Sequence, residues 1–393
     1  MYNQRMLKLG QGSPIHALFE WGLKRAASVG PENVFDYSLG NPSVPTPPEV
    51  NQAIIEILQN EPSLAVHGYT TAAGLIETRT AVAEDLNERF GAGLRPENFF
   101  MTCSVSPAII AVLKALHIDE RTEILTPTPH FPEYKPFIEG AGNRYVPVPA
   151  DTETFQIPLA ALEELISAHT QAVLINSPNN PSGAVYTREN LQGLAEILQR
   201  KAAEYGHPIY IISDEPYREL VYDGIEVPFV PPIYPDTIIC YSWSKSLSLP
   251  GERIGYVCVP DSVTDAENIF RAVAGAARVL GHVCAPSLMQ RVMARCAKVR
   301  PDLEAYRRNR QLLYESLMEM GFECVHPDGA FYLTVKAPNG DAHAFADAAR
   351  ALNLLIVPTD DFGLPGYVRL SYCVSYEMIE RSLPAFRKLR EQF

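Results

Sequence analysis

Apolar positions along the chain fall into two alternating rhythms. Short, nearly unbroken apolar runs rich in β-forming residues occupy 97–103 (ENFFMTC), 122–127 (TEILTP), 172–177 (AVLINS), 207–213 (HPIYIIS), 237–242 (TIICYS) and 253–259 (RIGYVCV). Between them lie longer stretches whose apolar residues recur at helical spacing, such as PAIIAVLKALH after Ser106 and TRENLQGLAEILQRKAAEYG, where Gly206 is placed to stop a helix. Strands that alternate with helices predict an α/β fold around a mostly parallel sheet flanked by helices. From Pro286 a helix-like pattern is predicted to run as far as Met320, followed by two strand patterns, GAFYLTV and YVRLSYCV. The layout predicts three parts. Residues 1–45 form an N-terminal segment that packs on the smaller unit, 46–285 form the large domain, and 286–393 form a small C-terminal α/β domain, so that both chain termini build the smaller unit.

Composition narrows the function classes. The 393 residues are 47% hydrophobic and 20% charged, with the balance of a globular protein long enough to bury a substantial core. A net charge of −13, without any basic run, argues against a nucleic-acid partner. The N-terminal stretch MYNQRMLKLGQGSP lacks an apolar signal core, and no apolar run is long enough to span a membrane. Seven cysteines stand singly, with no metal-like spacing, which predicts no metal and a reduced, cytoplasmic setting.

The polar residues that look chemical share one position. Ser104, Ser106, Asn180, Asp214 and Lys245 all follow the carboxyl ends of predicted strands, the edge at which open α/β sheets bind ligands. Asp214 closes the apolar run IYIIS, where a carboxylate is costly without a cationic or hydrogen-bonding partner, although capping of a following helix would also account for it. Tyr217 follows within DEPY and is predicted to share its turn. NNPSG (179–183) is a turn former in its own right and also a candidate ligand loop. In TCSVSP (102–107), Ser106 is expected to cap a helix whose first residue is Pro107; the same helix start would suit a phosphate. Lys245 lies in SWSKSLSLPGERIGY, with Ser242 three residues before it and Arg253 eight after.

Taken together these segments, from DYSLGNP (36–42) to YVRLSY (367–372), resemble the fold-type-I aminotransferases of class I/II. The resemblance implies the architecture of pyridoxal-phosphate transferases of that type, with a mixed central sheet. It also implies pyridoxal 5′-phosphate as cofactor, bound to Lys245 as an internal aldimine. Amino-group transfer from an L-amino acid to a 2-oxo acid would pass through an external aldimine and pyridoxamine phosphate, with Lys245 moving the proton. Carried over residue by residue, Asp214 pairs with the ring nitrogen, and Tyr217 and Asn180 contact the ring's phenolic oxygen. Phe131, in PHFPEY, stacks on the ring. Val105, Ser106, Ser242 and Arg253 hold the phosphate. Tyr69, in HGYTTAAGL, reaches the phosphate of a neighbouring subunit, which implies a homodimer. Arg369 clamps the substrate carboxylate, with Gly40 and Asn180 beside it.

The turn CSVS departs from the family's glycine-rich phosphate loop, which leaves the phosphate contacts open. Arg5, Ile15, Phe19 and His130 are conceivable side-chain pocket residues, each more readily explained as packing or surface. Two alternatives stand beside the transaminase at this point. One is a pyridoxal-phosphate lyase, either a carbon–sulfur β-lyase or an eliminase like aminocyclopropane-carboxylate synthase; the other is a non-catalytic regulator on the same fold, for which the chain lacks a basic DNA-binding segment. A nicotinamide dehydrogenase is excluded, since GAGNRY (140–145) lacks the third glycine and follows a helix pattern.

Overall fold

The computed structural model describes residues 1–10 and 14–393. Its strands, in chain order, are β1 (Phe35–Asp36), β2 (Phe99–Thr102), β3 (Glu123–Pro127), β4 (Arg144–Val148), β5 (Thr170–Asn176), β6 (Tyr210–Asp214), β7 (Thr237–Ser242), β8 (Gly255–Cys258), β9 (Tyr332–Lys336), β10 (Leu354–Leu355), β11 (Val357–Pro358) and β12 (Tyr367–Ser371). Seven of them form the large sheet, in the order β2-β8-β7-β6-β5-β3-β4. Within it β8 alone runs against its neighbours, pairing antiparallel with both β2 and β7, and the remaining pairs are parallel. The mixed, mostly parallel sheet expected from the sequence is therefore present.

The period of two along the strands decides which helices cover which face. Ile124, Ala172, Leu174, Ile212 and Ile238 point to one side and pack under the helix Val105–Ala115. Their neighbours Leu125, Val173, Ile175 and Ile211 point to the other side, onto Leu191, Leu194 and Leu198 of the helix Arg188–Tyr205. Each of these covered leucine, isoleucine and valine side chains stabilises the fold by about 1.5–3 kcal/mol. The second helix begins where Thr187 accepts a hydrogen bond from the Asn190 N–H (3.1 Å) and ends at Gly206, as its pattern predicts.

The smaller unit carries the three-stranded sheet β11-β12-β9 and a separate core around Phe331, Leu333, Val335, Phe345, Val368 and Leu370. The N-terminal segment joins it: β1 pairs with β10, and Tyr37 is buried in the same core.

Two expectations are corrected here. The helix predicted to run from Pro286 to Met320 is two helices, Ser287–Cys296 and Glu304–Glu319. Pro301 lies between them; it has no N–H to donate and disfavours helical backbone at Arg300. The first of the two, assigned to the smaller unit by sequence, packs Met289, Val292 and Met293 into the large unit's core beside Val50, Ile57 and Val82.

Candidate active site

The carboxyl ends of β2, β5, β6 and β7 converge on a cavity of about 570 Å³ that also reaches the smaller unit through Tyr332 and Arg369. Of the residues singled out from the sequence, Gly40, Val105, Ser106, Phe131, Asn180, Asp214, Tyr217, Ser242, Lys245, Arg253 and Arg369 all line it. Tyr69 does not: it stands on the surface of the single chain, 89% exposed.

Lys245 sits in the short helical turn Trp243–Ser246 that follows β7. Its Nζ donates to the carbonyl of Gly40 (2.6 Å) and lies 5.6 Å from the centre of the Phe331 ring. Burial lowers its pKa to about 8; Cys373 opposes that shift, and the positive Arg369 and Arg253 add to it. Position 40 tolerates no side chain, because a Cβ there would run into the hydroxyl of Tyr332.

Asp214 ends β6 and is buried at the cavity wall. One carboxylate oxygen, Oδ2, accepts a short hydrogen bond from the Tyr134 hydroxyl, and the other, Oδ1, has no partner among the described residues. Burial raises its pKa to about 7, opposed by the Tyr134 bond and assisted by the neighbouring Glu215. Asn176, at the end of β5, donates to the Asp214 carbonyl (2.9 Å) and accepts from the Asn180 N–H (2.8 Å), so the NNPSG loop and the Asp214 strand are tied together.

Arg369 projects from the middle of β12. Its guanidinium donates to Asn180 Oδ1 (3.2 Å) and to the carbonyl of Ser38, lies 4.8 Å from the Tyr332 ring centre, and leaves Nε without a partner. It therefore bridges the N-terminal segment, the smaller unit and the large unit at one point. The Tyr217 hydroxyl lies 2.9 Å from that of Tyr332, and burial holds the Tyr217 phenol well above its usual range.

The phosphate end departs from expectation in detail. The helix begins at Val105, with Ser104 at the capping position making no side-chain cap, so Ser106 and Pro107 are its second and third residues. Ser104 has φ 84 and ψ 177, a region occupied almost solely by glycine, at a cost on the order of 1–3 kcal/mol. The CSVS turn thus follows a glycine-like path with a serine in place, and Ser104 Oγ lies 3.2 Å from Ser244 Oγ. Gly255 explains how close that turn comes: a Cβ on it would collide with the Tyr241 carbonyl and the Ser104 backbone. Ser242 Oγ is buried and unpartnered, and Arg253 lies exposed at the mouth, its Nη1 on the Pro250 carbonyl (2.9 Å).

Three buried polar atoms on this one cavity, Ser242 Oγ, Asp214 Oδ1 and Arg369 Nε, therefore lack hydrogen-bond partners among the described residues. Buried polar groups are nearly always paired. Their chemistry, a hydroxyl beside a helix start, a carboxylate with one open oxygen and a guanidinium, fits a phosphorylated ring with a protonated nitrogen together with a carboxylate-bearing substrate. The residues present fit pyridoxal phosphate.

Sequence reasoning missed Tyr134, Tyr332 and Asn176. Each lay inside a quoted segment, PHFPEY, GAFYLTV and AVLINS respectively, but nothing in one sequence tells that Tyr332 and Asn176 turn to the cavity or that Tyr134 turns to Asp214 beside it. Of the conceivable pocket residues, Ile15 lines the cavity. His130 is buried, bonded through its ring to Tyr145 OH (2.6 Å) and the Phe131 carbonyl (2.8 Å). Arg5 pairs with Glu139 at the surface (3.7 Å), and Phe19 is half-buried away from the cavity lining.

Residues 32–386 match the family described as aminotransferase class I and II. An aromatic-amino-acid aminotransferase of Thermococcus litoralis is 28% identical, over 98% of this chain and 97% of its own. The aspartate/prephenate aminotransferase of Thermus thermophilus is 31% identical, over 89% of each. Among solved structures, an aminotransferase from Eubacterium rectale superimposes with a TM-score of 0.98 at 52% identity, covering 100% of this chain and 99% of that one. The aspartate aminotransferase of Thermus thermophilus with maleate gives 0.87 at 28% identity, covering 99% and 100%.

Proposed function

The chain belongs to the class I and II aminotransferases and is a pyridoxal-phosphate-dependent transaminase, and on that premise we propose the part that each residue of the cavity plays. The observation that carries the assignment is the set of unpartnered buried atoms on the cavity that also holds Lys245. When bound, pyridoxal phosphate supplies an aldehyde for an amine to join and a cationic ring that draws electrons from the adjoining carbon.

Ser242, Arg253, and the backbone and hydroxyl at Val105 and Ser106 hold the phosphate at the start of a helix, where free N–H groups favour an anion. Asp214 presents Oδ1 to the ring nitrogen while Tyr134 pins Oδ2. Tyr217 and Asn180 face the phenolic oxygen, and Phe131 covers one ring face. Lys245 is the covalent anchor and then the base. With its pKa drawn down to about 8, a substantial fraction is neutral near physiological pH, so it can take the proton from the substrate α-carbon and deliver it to the carbon on the far side of the amino nitrogen, two atoms away. Arg369, with Asn180 and the backbone at Gly40, orients the α-carboxylate so that this carbon faces Nζ.

The expected test is replacement of Arg369 by leucine. It removes a charge-assisted, two-pronged contact, so KM for every amino donor should rise by about 10²-fold, by the order of 2–5 kcal/mol lost at such sites. Steady-state release of 2-oxo acid measures this, and an unchanged KM would remove Arg369 from the substrate site. In the same assay transamination requires an amino acceptor. Release of ammonia without one would favour the lyase reading.

A homodimer is part of this proposal. Tyr69 is 89% exposed on the single chain, so its side chain is available to a neighbouring one. Sedimentation at the mass of one chain in the holoenzyme would remove the assignment of Tyr69 to a neighbouring phosphate. The seven cysteines are all unpaired, which supports a reducing, cytoplasmic setting; among the described residues no helix is long and apolar enough to cross a membrane.

A further inference from the structure

Charge bookkeeping on the cavity leaves one side chain unused. Five ionisable carboxylates, amines and guanidinia line it: Glu133, Asp214, Lys245, Arg253 and Arg369. If the roles proposed above hold, Arg253 meets the phosphate, Asp214 the ring nitrogen, Lys245 the reacting carbons and Arg369 the α-carboxylate. What remains for the substrate side chain is Glu133, an anion. Among the described residues no cation lies within ion-pairing distance of its carboxylate, and none of the described hydrogen bonds engages its side chain, so its charge is not spent on the protein itself.

Glu133 stands at the start of the helix Tyr134–Gly140, and Phe137, four residues on, presents the same helix face to the cavity. Tyr134, between them, turns instead to Asp214. The lining also includes Ile15 and Leu39, both apolar. Apart from the uncharged Ser104, Ser244 and Asn176, the lining that this chain leaves after cofactor and α-carboxylate are accounted for is apolar or aromatic, with a single negative charge. A second substrate carboxylate placed there would meet a like charge in a partly dehydrated space and would find no cation from this chain. An apolar or aromatic side chain would lose only water, and a hydroxyl or ring N–H at its end could donate to Glu133.

We propose that this transaminase takes amino acids with large apolar or aromatic side chains, and that Glu133 is a specificity-determining residue that excludes dicarboxylic donors. Discrimination of this kind is built against the wrong substrate by repulsion as much as toward the right one by contact. The proposal rests on the transaminase roles assigned above.

The test uses the holoenzyme with phenylalanine, leucine, aspartate and glutamate in turn, following 2-oxo acid release in the half-reaction. Phenylalanine should exceed aspartate in kcat/KM by at least about tenfold, equivalent to about 1.4 kcal/mol. In Glu133→Gln that ratio should narrow by at least about tenfold, because the repulsion is gone while the shape is kept. Wild-type enzyme that handles aspartate as well as phenylalanine overturns the substrate class and leaves the transaminase reading standing. A wild-type preference that Glu133→Gln leaves unchanged overturns the role of Glu133. If none of the four donors releases a 2-oxo acid, the transaminase roles fail first and the proposal falls with them.

Discussion

Replacing Lys245 by alanine is expected to lower the rate of transamination by at least about 10³-fold, the upper part of the range for a lost general base, because anchor and base are one side chain. The two roles separate experimentally. Borohydride should fix the cofactor covalently to the wild-type peptide that contains Lys245 and should leave the variant free of it. A small exogenous amine should restore part of the proton transfer, since the cavity keeps room where the lysine side chain was. Activity within tenfold of wild type, or borohydride labelling of the same peptide in the variant, would dismiss Lys245. The pH dependence has a definite sign. Burial draws the amine down to about 8, and the neutral form attacks, so capture of the aldehyde by the cofactor-free protein should rise as pH increases through about 8 and flatten above it.

Asp214→Asn should have the next largest effect, and it should act in opposite directions on activity and stability. The asparagine cannot carry the negative charge that keeps the ring nitrogen protonated, so activity should fall by about 10²-fold or more, the scale of a lost preorganised electrostatic partner. The cofactor-free protein, by contrast, should become more stable. The Asp214 carboxyl has its pKa raised to about 7 in the folded chain from 3.8 unfolded, so ionisation is disfavoured by folding. The penalty is absent below about pH 4, grows between there and 7, and is complete above 7. The gain from asparagine should therefore appear in thermal melts at pH 8 and vanish near pH 4. A variant that melts below wild type at pH 8 would mean that the Tyr134 bond outweighs the cost of the buried charge.

Much of this site was legible in the sequence because its chemistry is tied to strand ends. A run such as TIICYS is readable from its own residues, and whatever follows it must emerge at one edge of the sheet; Lys245, Asp214 and Asn180 are found that way. Arg369 was reached only through the family resemblance, since an arginine in the middle of a strand says nothing about the face it occupies. Tyr134 and Tyr332 were hidden for the same reason, being one aromatic among several in PHFPEY and GAFYLTV. The helix break at Pro301 was overlooked because the apolar spacing continues on both sides of it. The packing of Ser287–Cys296 with the large unit followed no local signal at all, because partners such as Val50 and Val82 lie more than two hundred residues away. The strand β4 was passed over because its segment, RYVPV, includes a proline and is only partly buried at the sheet edge.

The reversed strand β8 has a consequence for how such chains can diverge. Ser242 pairs with Gly255 across the β7–β8 ladder, so the connection between them leaves and re-enters the sheet at the same edge. Had β8 run parallel, the chain would have had to travel to the far edge through a crossover before starting it, and Arg253 would lie a sheet's depth away from Lys245. The interval between lysine and arginine is thus set by the span of one hairpin-like connection over the cofactor pocket. Insertions or deletions there would move anchor and phosphate clamp relative to each other, while a loop elsewhere could absorb them. In chains too distant to align, that interval should outlast most of the residues inside it.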